Sequence, residues 1–463
     1  MASKKYDVII VGAGPAGIFT ALELSSLGNV KILIIDKGAP LEKRSCKTQR
    51  EYGRCARCNP CAITCGWGGA GAFSDGKLTL TSSFGGVLDE FVEQERINDL
   101  INEVDQTYLS YGASDVVYGK DQEAIKDMER SAAAAGLSLI PAMIRHLGTE
   151  NCYHVLKKMF RDLKKTTDIL MNTSVEEIIS EDGLAGGVKL SSGEIYYADY
   201  VVCAPGRIGA EWMHNESKRL GLKGANNPVD LGVRVEVPAV IMEKLTTKIY
   251  ESKLIYFTRH FDDRIRTFCM NPYGVVVTES NEGLVTVNGH SFAETKTNNT
   301  NFALLVSKTF TEPFTEPIRY GRYIASLANM LGDGVIIQRL GDLLMGRRST
   351  PERIKRGLVS PTLTEATPGD LSLVLPYRYL RAIIEMLEAL DQLAPGVNSR
   401  HTLLYGIEVK FYSYRLMLSE KFETEVKNLF AVGDGAGVTR GLIQASATGK
   451  LAAREIAERL KIS

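Results

Sequence analysis

Residues 6–17 read YDVIIVGAGPAG, an apolar run followed directly by a glycine-rich turn. The run is typical of a buried strand, and residues 18–27 carry the apolar spacing of a helix. In such a unit Gly12 makes the tight turn, Gly14 lets the backbone approach a pyrophosphate, and Gly17 lets the helix pack on the strand. The first N–H groups of the helix are suited to phosphate. The stretch therefore predicts a Rossmann-type, dinucleotide-binding unit.

A second strand and an acidic residue complete this unit. Residues 31–35 form another apolar run that ends at Asp36, whose carboxylate can accept hydrogen bonds from ribose hydroxyls. Pro15, Ala16 and Lys37 lie beside these positions and are predicted to contact the same ligand. Because strand, glycines, helix and acid occur in the expected order, we interpret them as a dinucleotide site rather than a structural turn.

Two distant segments carry further motifs. Residues 428–441 read NLFAVGDGAGVTRG, a short strand that ends in Gly-Asp before a helix predicted from Leu442 to Leu460. Residues 200–206 read YVVCAPG, another strand followed by a turn. In this order the segments resemble the FAD-binding motifs of flavoproteins related to glutathione reductase and p-hydroxybenzoate hydroxylase. The helix N-terminus would stabilise negative charge on a reduced flavin.

The resemblance implies FAD as the cofactor and assigns roles to residues. It implies that Asp434 binds the ribityl chain and that Val175 lies against the adenine. The remaining contacts that it implies in these segments are Ala204, Gly206, Gly433, Gly441 and Leu442. No second G-x-G-x-x-G occurs between residues 150 and 430, so a separate nicotinamide-binding domain is not expected.

Five of the eight cysteines fall within twenty residues, and the last four are spaced C-x2-C-x2-C-x3-C. Bacterial ferredoxins hold iron–sulfur clusters with this spacing. We predict a [4Fe–4S] cluster whose ligands are Cys46, Cys55, Cys58 and Cys61. Cys46 is the remote fourth ligand, and Cys65 is its substitute. A zinc site and a thiol–disulfide relay remain open as alternatives.

The cysteines run into residues 66–77, which read GWGGAGAFSDGK. Together with residues 402–412 and the C-terminal motif, this segment resembles a poorly characterised family labelled FAD-dependent or NAD(FAD)-utilising dehydrogenases. The resemblance implies an oxidoreductase with FAD and leaves the substrate open. Glycines suit close approach of the backbone to a cofactor. The predicted contacts here are Gly68, Gly69, Ala70, Ser74 and Gly76.

The middle of the chain has a different pattern of apolar residues. Alternating apolar residues between about 227 and 314 predict an antiparallel sheet, and residues 377–393 predict a helix. We therefore predict an α/β protein, with a discontinuous Rossmann-type FAD-binding domain and an inserted mixed α+β substrate domain. The predicted boundaries are residues 1–225 for the first FAD-binding part, 226–400 for the insertion and 401–463 for the final FAD-binding part.

Candidates for substrate chemistry are few. Arg440 stands at a predicted helix N-terminus beside Asp434 and is the best anion contact near the flavin. His290, Glu408 and Lys410 are candidates for proton transfer. The alternatives are an ordinary hydrogen-bonded histidine and a structural Glu–Lys pair on one strand.

Composition narrows the function classes. The 463-residue chain has 55 basic and 55 acidic side chains, so no overall charge favours nucleic acid, and a flavoprotein acting on tRNA is disfavoured. The sequence contains no run of 18 apolar residues, so it does not predict a membrane-spanning helix, and we expect a cytoplasmic protein. We predict electron transfer between the cluster and the flavin, with a ferredoxin-like or nicotinamide donor, to reduce or dehydrogenate a small organic substrate. The alternative is a flavin-linked thiol/disulfide redox sensor without organic substrate.

Overall fold

The computed structural model describes residues 5–46, 58–74, 76–281, 283–292 and 296–461. Its strands are β1 (Lys5–Val11), β2 (Ile32–Ile35), β3 (Lys77–Thr79), β4 (Val117–Tyr118), β5 (Ser138–Ile140), β6 (Ile144–His146), β7 (Thr167–Leu170), β8 (Val175–Glu181), β9 (Leu184–Leu190), β10 (Ile195–Cys203), β11 (Gly224–Ala225), β12 (Val229–Pro238), β13 (Lys253–Phe257), β14 (Arg264–Asn271), β15 (Val275–Asn281), β16 (Leu284–His290), β17 (Asn299–Lys308), β18 (Ile336–Arg339), β19 (Thr367–Pro368), β20 (Leu403–Lys410), β21 (Arg415–Leu416) and β22 (Leu429–Ala431). Its α-helices are α1 (Pro15–Leu27), α2 (Gln94–Ser110), α3 (Gln122–Ala134), α4 (Thr149–Leu163), α5 (Ala210–Arg219), α6 (Ala239–Thr246), α7 (Pro317–Gly332), α8 (Leu340–Leu344), α9 (Pro351–Lys355), α10 (Tyr377–Leu393) and α11 (Leu442–Arg459).

The first sheet forms around the fingerprint strand β1. Strands β7, β2, β1, β10 and β22 are parallel neighbours in that order, and the β8–β9 hairpin extends β10 with antiparallel pairing. The apolar run of β1 is buried, as expected for a strand in the middle of a parallel sheet. Helix α1 packs against α11, which brings the N-terminal and C-terminal motifs together. The predicted discontinuous Rossmann-type domain is confirmed.

The second sheet contains the predicted insertion. Its order is β19-β18-β20-β12-β17-β14-β13-β5, and every pair is antiparallel except β18–β19. Helix α10 packs against this sheet and spans the residues predicted to be helical. The strands β15 and β16 form a separate hairpin beside it.

The second sheet also takes strands from outside the predicted insertion. Strand β20 lies between β12 and β18, although the predicted boundary near residue 400 assigns it to the final FAD-binding part. Strand β5, from the first part, forms the far edge against β13. All eight residues of β20 are buried, as expected for a strand in the interior of a sheet. The apolar sequence predicts a buried strand but does not indicate which of the two sheets it joins.

Each of the two units has its own large apolar core. One surrounds β1, β10 and α11, and the other lies between the second sheet and α10. Within the described ranges, no helix combines the length and the apolar character needed to cross a membrane.

Candidate functional site

A cavity of about 1320 Å³ is lined by residues from both units. Its walls include the fingerprint turn, the cysteine segment, the C-terminal motif and strands β13–β16. Sites for one small molecule usually enclose about 300–1,000 Å³. The cavity therefore has room for a dinucleotide and a second small molecule.

The glycines of the fingerprint turn have different tasks. Gly12 has φ +113°, and a Cβ there would overlap the carbonyl oxygen of Ala204. A Cβ at Gly17 would overlap the carbonyl oxygen of Gly12. At Gly14, in contrast, a Cβ would meet nothing closer than the Gly69 Cα at 4.0 Å. Gly12 and Gly17 thus permit backbone packing, whereas Gly14 keeps the cavity wall open.

The fingerprint turn also presents hydrogen-bonding groups suited to a dinucleotide. The Asp36 carboxylate accepts from the N–H of Ala13 and of Gly38, both at 2.8 Å. A carboxylate offers about four acceptor positions, so Asp36 can still accept from ribose hydroxyls. Helix α1 begins after Gly14, which has no side chain to cap it, so its first N–H groups can bind phosphate.

The C-terminal motif meets the fingerprint turn. A Cβ at Gly433 would lie 2.8 Å from the Cβ of Ala16, which shows how closely the two segments approach. Thr439 Oγ1 donates to Asp434 at 2.7 Å, and Arg207 Nε lies 3.4 Å from the same carboxylate. Burial raises the pKa of Asp434, and Arg207 and Thr439 oppose this rise. Helix α11 follows without a side-chain cap.

The segment after the cysteines crosses over the fingerprint turn. The N–H of Gly68 donates to the carbonyl of Ala13 at 2.7 Å. Arg44 organises this segment, because its buried guanidinium donates to four backbone carbonyls at 2.6–2.9 Å. These carbonyls belong to Ala62, Ile63, Trp67 and Gly69. Burial lowers the pKa of Arg44 to about 10, so it remains charged at neutral pH. Sequence reasoning missed Arg44, since nothing local distinguishes it from an exposed arginine.

The cysteines themselves lie beside the FAD-binding loops. Those of the segment that line the cavity are Cys46, Cys58, Cys61 and Cys65. Cys55 lies outside the described residues. In the part of the chain that is described, no three or more side chains of His, Cys, Asp or Glu are placed to hold a metal ion. The predicted cluster therefore stays a prediction.

Most predicted cofactor contacts line the cavity. They are Gly12, Gly14, Pro15, Ala16, Asp36, Lys37, Gly69, Ala70, Ser74, Val175, Ala204, Gly206, Gly433, Asp434, Gly441 and Leu442. Gly17, Gly68 and Gly76 do not line it. The last two pack against Leu156 and Cys152 respectively, where any larger side chain would collide. These three glycines serve packing rather than cofactor contact.

The catalytic candidates divide into two groups. Arg440, Lys410 and His290 line the cavity, and His290 Nε2 is hydrogen-bonded to Thr149 Oγ1 at 2.6 Å. Glu408 does not line it and is completely buried. Arg234 binds the Glu408 carboxylate with two hydrogen bonds of 2.7 and 2.9 Å, and Lys410 lies 3.0 Å from it. The assignment of Glu408 to proton transfer is therefore corrected: it is the structural ion-pair partner of two cations.

Three basic residues of the cavity wall were not predicted. Lys253 on β13 and the pair Arg264 and Arg266 on β14 all line it. The pair occupies alternate positions of one strand, so both side chains belong to the same face, as does the lining residue Phe268. This alternation is visible in the sequence, but the sequence does not show which face meets the cavity.

Two family models match the chain. Residues 228–411 match the model described as FAD-dependent protein, C-terminal domain-like, and residues 5–49 match the model described as FAD binding domain. An uncharacterised protein of Clostridium beijerinckii is 28% identical over 483 residues, which cover 98% of this chain and 81% of the relative.

Similar solved structures include glycine oxidase from Geobacillus kaustophilus, which is 15% identical with a TM-score of 0.43 and covers 99% of this chain and 95% of its own. L-proline dehydrogenase from P. horikoshii is 12% identical with a TM-score of 0.42, and the match covers 99% and 94% of the two chains.

The family matches and the site agree on the class of protein. They confirm the predicted resemblance to FAD-dependent proteins and the predicted FAD cofactor. Because FAD carries hydrides and electrons in enzymes, the chain is an FAD-dependent oxidoreductase.

Proposed function

We propose that the chain reduces or dehydrogenates a small organic substrate at an activated carbon–carbon bond. The observation that supports this proposal is the continuity of the cavity. The fingerprint turn and the C-terminal motif line the same cavity as β13, β14 and the β15–β16 hairpin, which provide a compartment beyond the FAD-binding loops. Bound FAD would supply hydride transfer there.

The chain's own residues prepare this compartment for a substrate. The Tyr412 hydroxyl donates to Asp230 Oδ2 at 2.5 Å, and the Arg440 guanidinium lies 3.9 Å from the centroid of its ring. Burial raises the pKa of Tyr412, so its hydroxyl stays protonated and neutral in the cavity wall. Arg440 follows Asp434 in the C-terminal motif and can orient an anionic group near the FAD-binding loops.

The most direct experiment uses FAD-loaded protein that has been reduced anaerobically with dithionite and then mixed with activated alkenes. We expect one alkene to reoxidise the flavin with one product molecule formed per flavin. If no alkene reoxidises it and no saturated counterpart reduces the oxidised protein, the proposal of an organic substrate fails.

Electron entry through the cysteine segment is also a proposal, with a ferredoxin-like or nicotinamide donor. Its support is the position of four cysteines on the cavity that also contains the FAD-binding loops. The same observation favours the alternative function, a flavin-linked thiol/disulfide redox sensor. Reversible loss of free thiols upon flavin oxidation, without turnover of any organic compound, would favour the sensor.

Substitution of one cysteine tests electron entry. Cys58→Ser is expected to abolish reduction by a low-potential donor and to leave FAD bound, because the side chain is nearly isosteric and lies outside the fingerprint turn. Cys152→Ser, on α4 and outside the cavity wall, is the matched control for loss of a thiol. Normal reduction of the Cys58 variant would contradict the proposed entry.

Metal analysis of anaerobically purified protein tests the identity of the site. Iron together with acid-labile sulfide would support the predicted cluster, and zinc alone would support a closed structural site. Absence of both metals would favour the thiol–disulfide relay.

A further inference from the structure

We infer that the compartment beyond the FAD-binding loops contains a carboxylate-binding site formed by Arg264, Arg266 and Arg440, with Lys253 beside them. The inference rests on the proposed function and specifies its substrate class: a small organic carboxylate.

Arg266 supplies the first observation, a buried cation in the cavity wall. The side chain lines the cavity but is only 6% exposed. Its Nη2 donates to Asp230 at 2.5 Å and to the Tyr412 hydroxyl at 3.0 Å. Its Nη1 has no hydrogen-bond partner among the described residues. Nη1 is shielded from the cavity, so Arg266 contributes its positive charge to the wall and not a free donor to a ligand.

The charges around Arg266 supply the second observation. Arg264, Lys253 and Arg440 also line the cavity, and no carboxylate of the described ranges forms an ion pair with any of them. Lys253 Nζ lies 3.6 Å from the centroid of the Phe84 ring, and Arg440 covers Tyr412. Such contacts with aromatic faces stabilise a cation without cancelling its charge.

Two nearby carboxylates are already committed. Asp230 accepts hydrogen bonds from Arg266, Tyr412 and Ser307. Glu251 lies 3.3 Å from Lys77 Nζ and also accepts from the backbone N–H of Cys269 at 3.0 Å. Glu279 and Glu365 also line the cavity, and Glu279 accepts from Asn288 Nδ2 at 2.9 Å. The three arginines and Lys253 outnumber these two carboxylates, which favours an anionic ligand.

The site adjoins the FAD-binding loops. The N–H of Arg440 donates to the carbonyl of Gly85 at 2.8 Å, and the neighbouring Phe84 lies under Lys253. Arg440 also precedes Gly441 and Leu442, which line the FAD part of the cavity. A carboxylate held here keeps the rest of its molecule in the cavity that contains the FAD-binding loops. A planar guanidinium matches the two oxygens of a carboxylate better than an ammonium does.

Calorimetric titration of FAD-loaded protein with succinate, and with its uncharged analogue succinamide, tests the site. Succinate is expected to bind and succinamide is not. Arg264→Gln removes an exposed cation, and Arg266→Lys removes the guanidinium that holds Asp230 and Tyr412 while keeping a charge opposite Asp230. Each variant is expected to weaken succinate binding about tenfold or more with its FAD content unchanged. Arg96→Gln, an exposed arginine on α2, is the control and should bind succinate normally.

The outcomes separate this inference from the proposed function. Equal binding of succinate and succinamide, or unchanged succinate affinity in Arg264→Gln, would overturn the carboxylate site even if Arg266→Lys does not fold. If the carboxylate site is present but no alkene or saturated compound exchanges electrons with the flavin, the proposed reaction fails while the site stands. Binding of sulfate with equal affinity would show a general anion site and would contradict the carboxylate assignment.

Discussion

At the scale of single residues, the two glycines of the fingerprint turn show how packing and ligand binding are separated. Gly12 has a positive φ and no room for a Cβ, whereas Gly14 has an ordinary backbone conformation and an open side facing the cavity. The same motif therefore contains one residue required by backbone packing and one that leaves the cavity wall open.

Alanine substitution distinguishes these roles. Gly12→Ala is expected to destabilise the protein by about 2–5 kcal/mol, because the methyl group overlaps Ala204 and the positive φ is strained. Gly14→Ala is expected to leave the stability of the FAD-free protein nearly unchanged and to weaken FAD binding, since its methyl group enters the cavity. Urea unfolding and FAD titration measure the two effects, and equal FAD affinity in Gly14→Ala would contradict the assignment.

Lys253 gives the proposed carboxylate site a pH dependence. Burial, and then the proximity of Arg266, lower the pKa of Lys253 to about 7. Arg264 also lowers its pKa, whereas Glu251 and Asp230 raise it. Because only the protonated form attracts an anion, carboxylate affinity is expected to fall as pH rises above about 7. Calorimetry at several pH values should show this decline in the native protein and a flat profile in Lys253→Met; an identical decline in both would exclude Lys253 as its source.

The residues that the sequence predicted and the structure places on the cavity differ from those that were missed in the range of their interactions. Gly12, Gly14 and Asp36 belong to one local motif, so spacing along the chain is sufficient to place them. Arg266 acquires its meaning from Asp230 and Tyr412, which lie 36 and 146 residues away. No local pattern records which distant side chains an arginine binds.

At the scale of elements, the Arg44 side chain holds the irregular segment of residues 62–69 in place beside the cavity. One buried guanidinium replaces the backbone partners that a helix or strand would give to residues 62–69. Similarly, the ion pair between Arg234 on β12 and Glu408 on β20 joins neighbouring strands of the second sheet.

Removal of the Arg44 guanidinium should destabilise the fold of residues 62–69. Arg44→Gln is expected to destabilise the protein by about 2–4 kcal/mol, because several carbonyls lose their donors. FAD affinity should fall as well, since the segment crosses the fingerprint turn. Thermal unfolding and limited proteolysis with and without FAD measure these effects. Arg96→Gln again serves as the control, and native protease resistance of the Arg44 variant would contradict the role.

Substitution of Glu408 tests its correction from a catalytic to a structural residue. Glu408→Gln should cost about 3–5 kcal/mol, because Arg234 and Lys410 lose a buried counter-charge. Burial alone would raise the pKa of Glu408, but Arg234 and Lys410 hold it below its ordinary value. Its contribution to stability is therefore present above about pH 4.5 and lost as pH falls through the lower folded pKa. Denaturant titrations at neutral and acid pH should show that the difference between native and variant shrinks in acid.

A matched control for Glu408→Gln is Asp127→Asn, which removes the exposed partner of Arg130 on α3. It should change stability little, since exposed ion pairs are screened by water. An equally small effect of Glu408→Gln would contradict the buried ion pair.

At the scale of the whole molecule, the two units have separate apolar cores, and residues of both units line one cavity. The class of each unit followed from periodicity, but the partners of β5 and β20 did not, because strand pairing between distant segments depends on the assembled sheet. The same limit hid the carboxylate site, which needs β13, β14 and the C-terminal motif together. FAD binding is local to motifs, whereas substrate recognition is a property of the assembled fold.

The central claim is that FAD and the substrate occupy one continuous cavity, and the flavin absorption spectrum tests it most directly. Succinate titrated into FAD-loaded protein is expected to perturb the flavin spectrum with the same half-saturation that calorimetry gives, and Arg264→Gln should shift both together. Calorimetric binding of succinate without any change in the flavin spectrum would contradict the claim, because it would place the carboxylate away from the flavin.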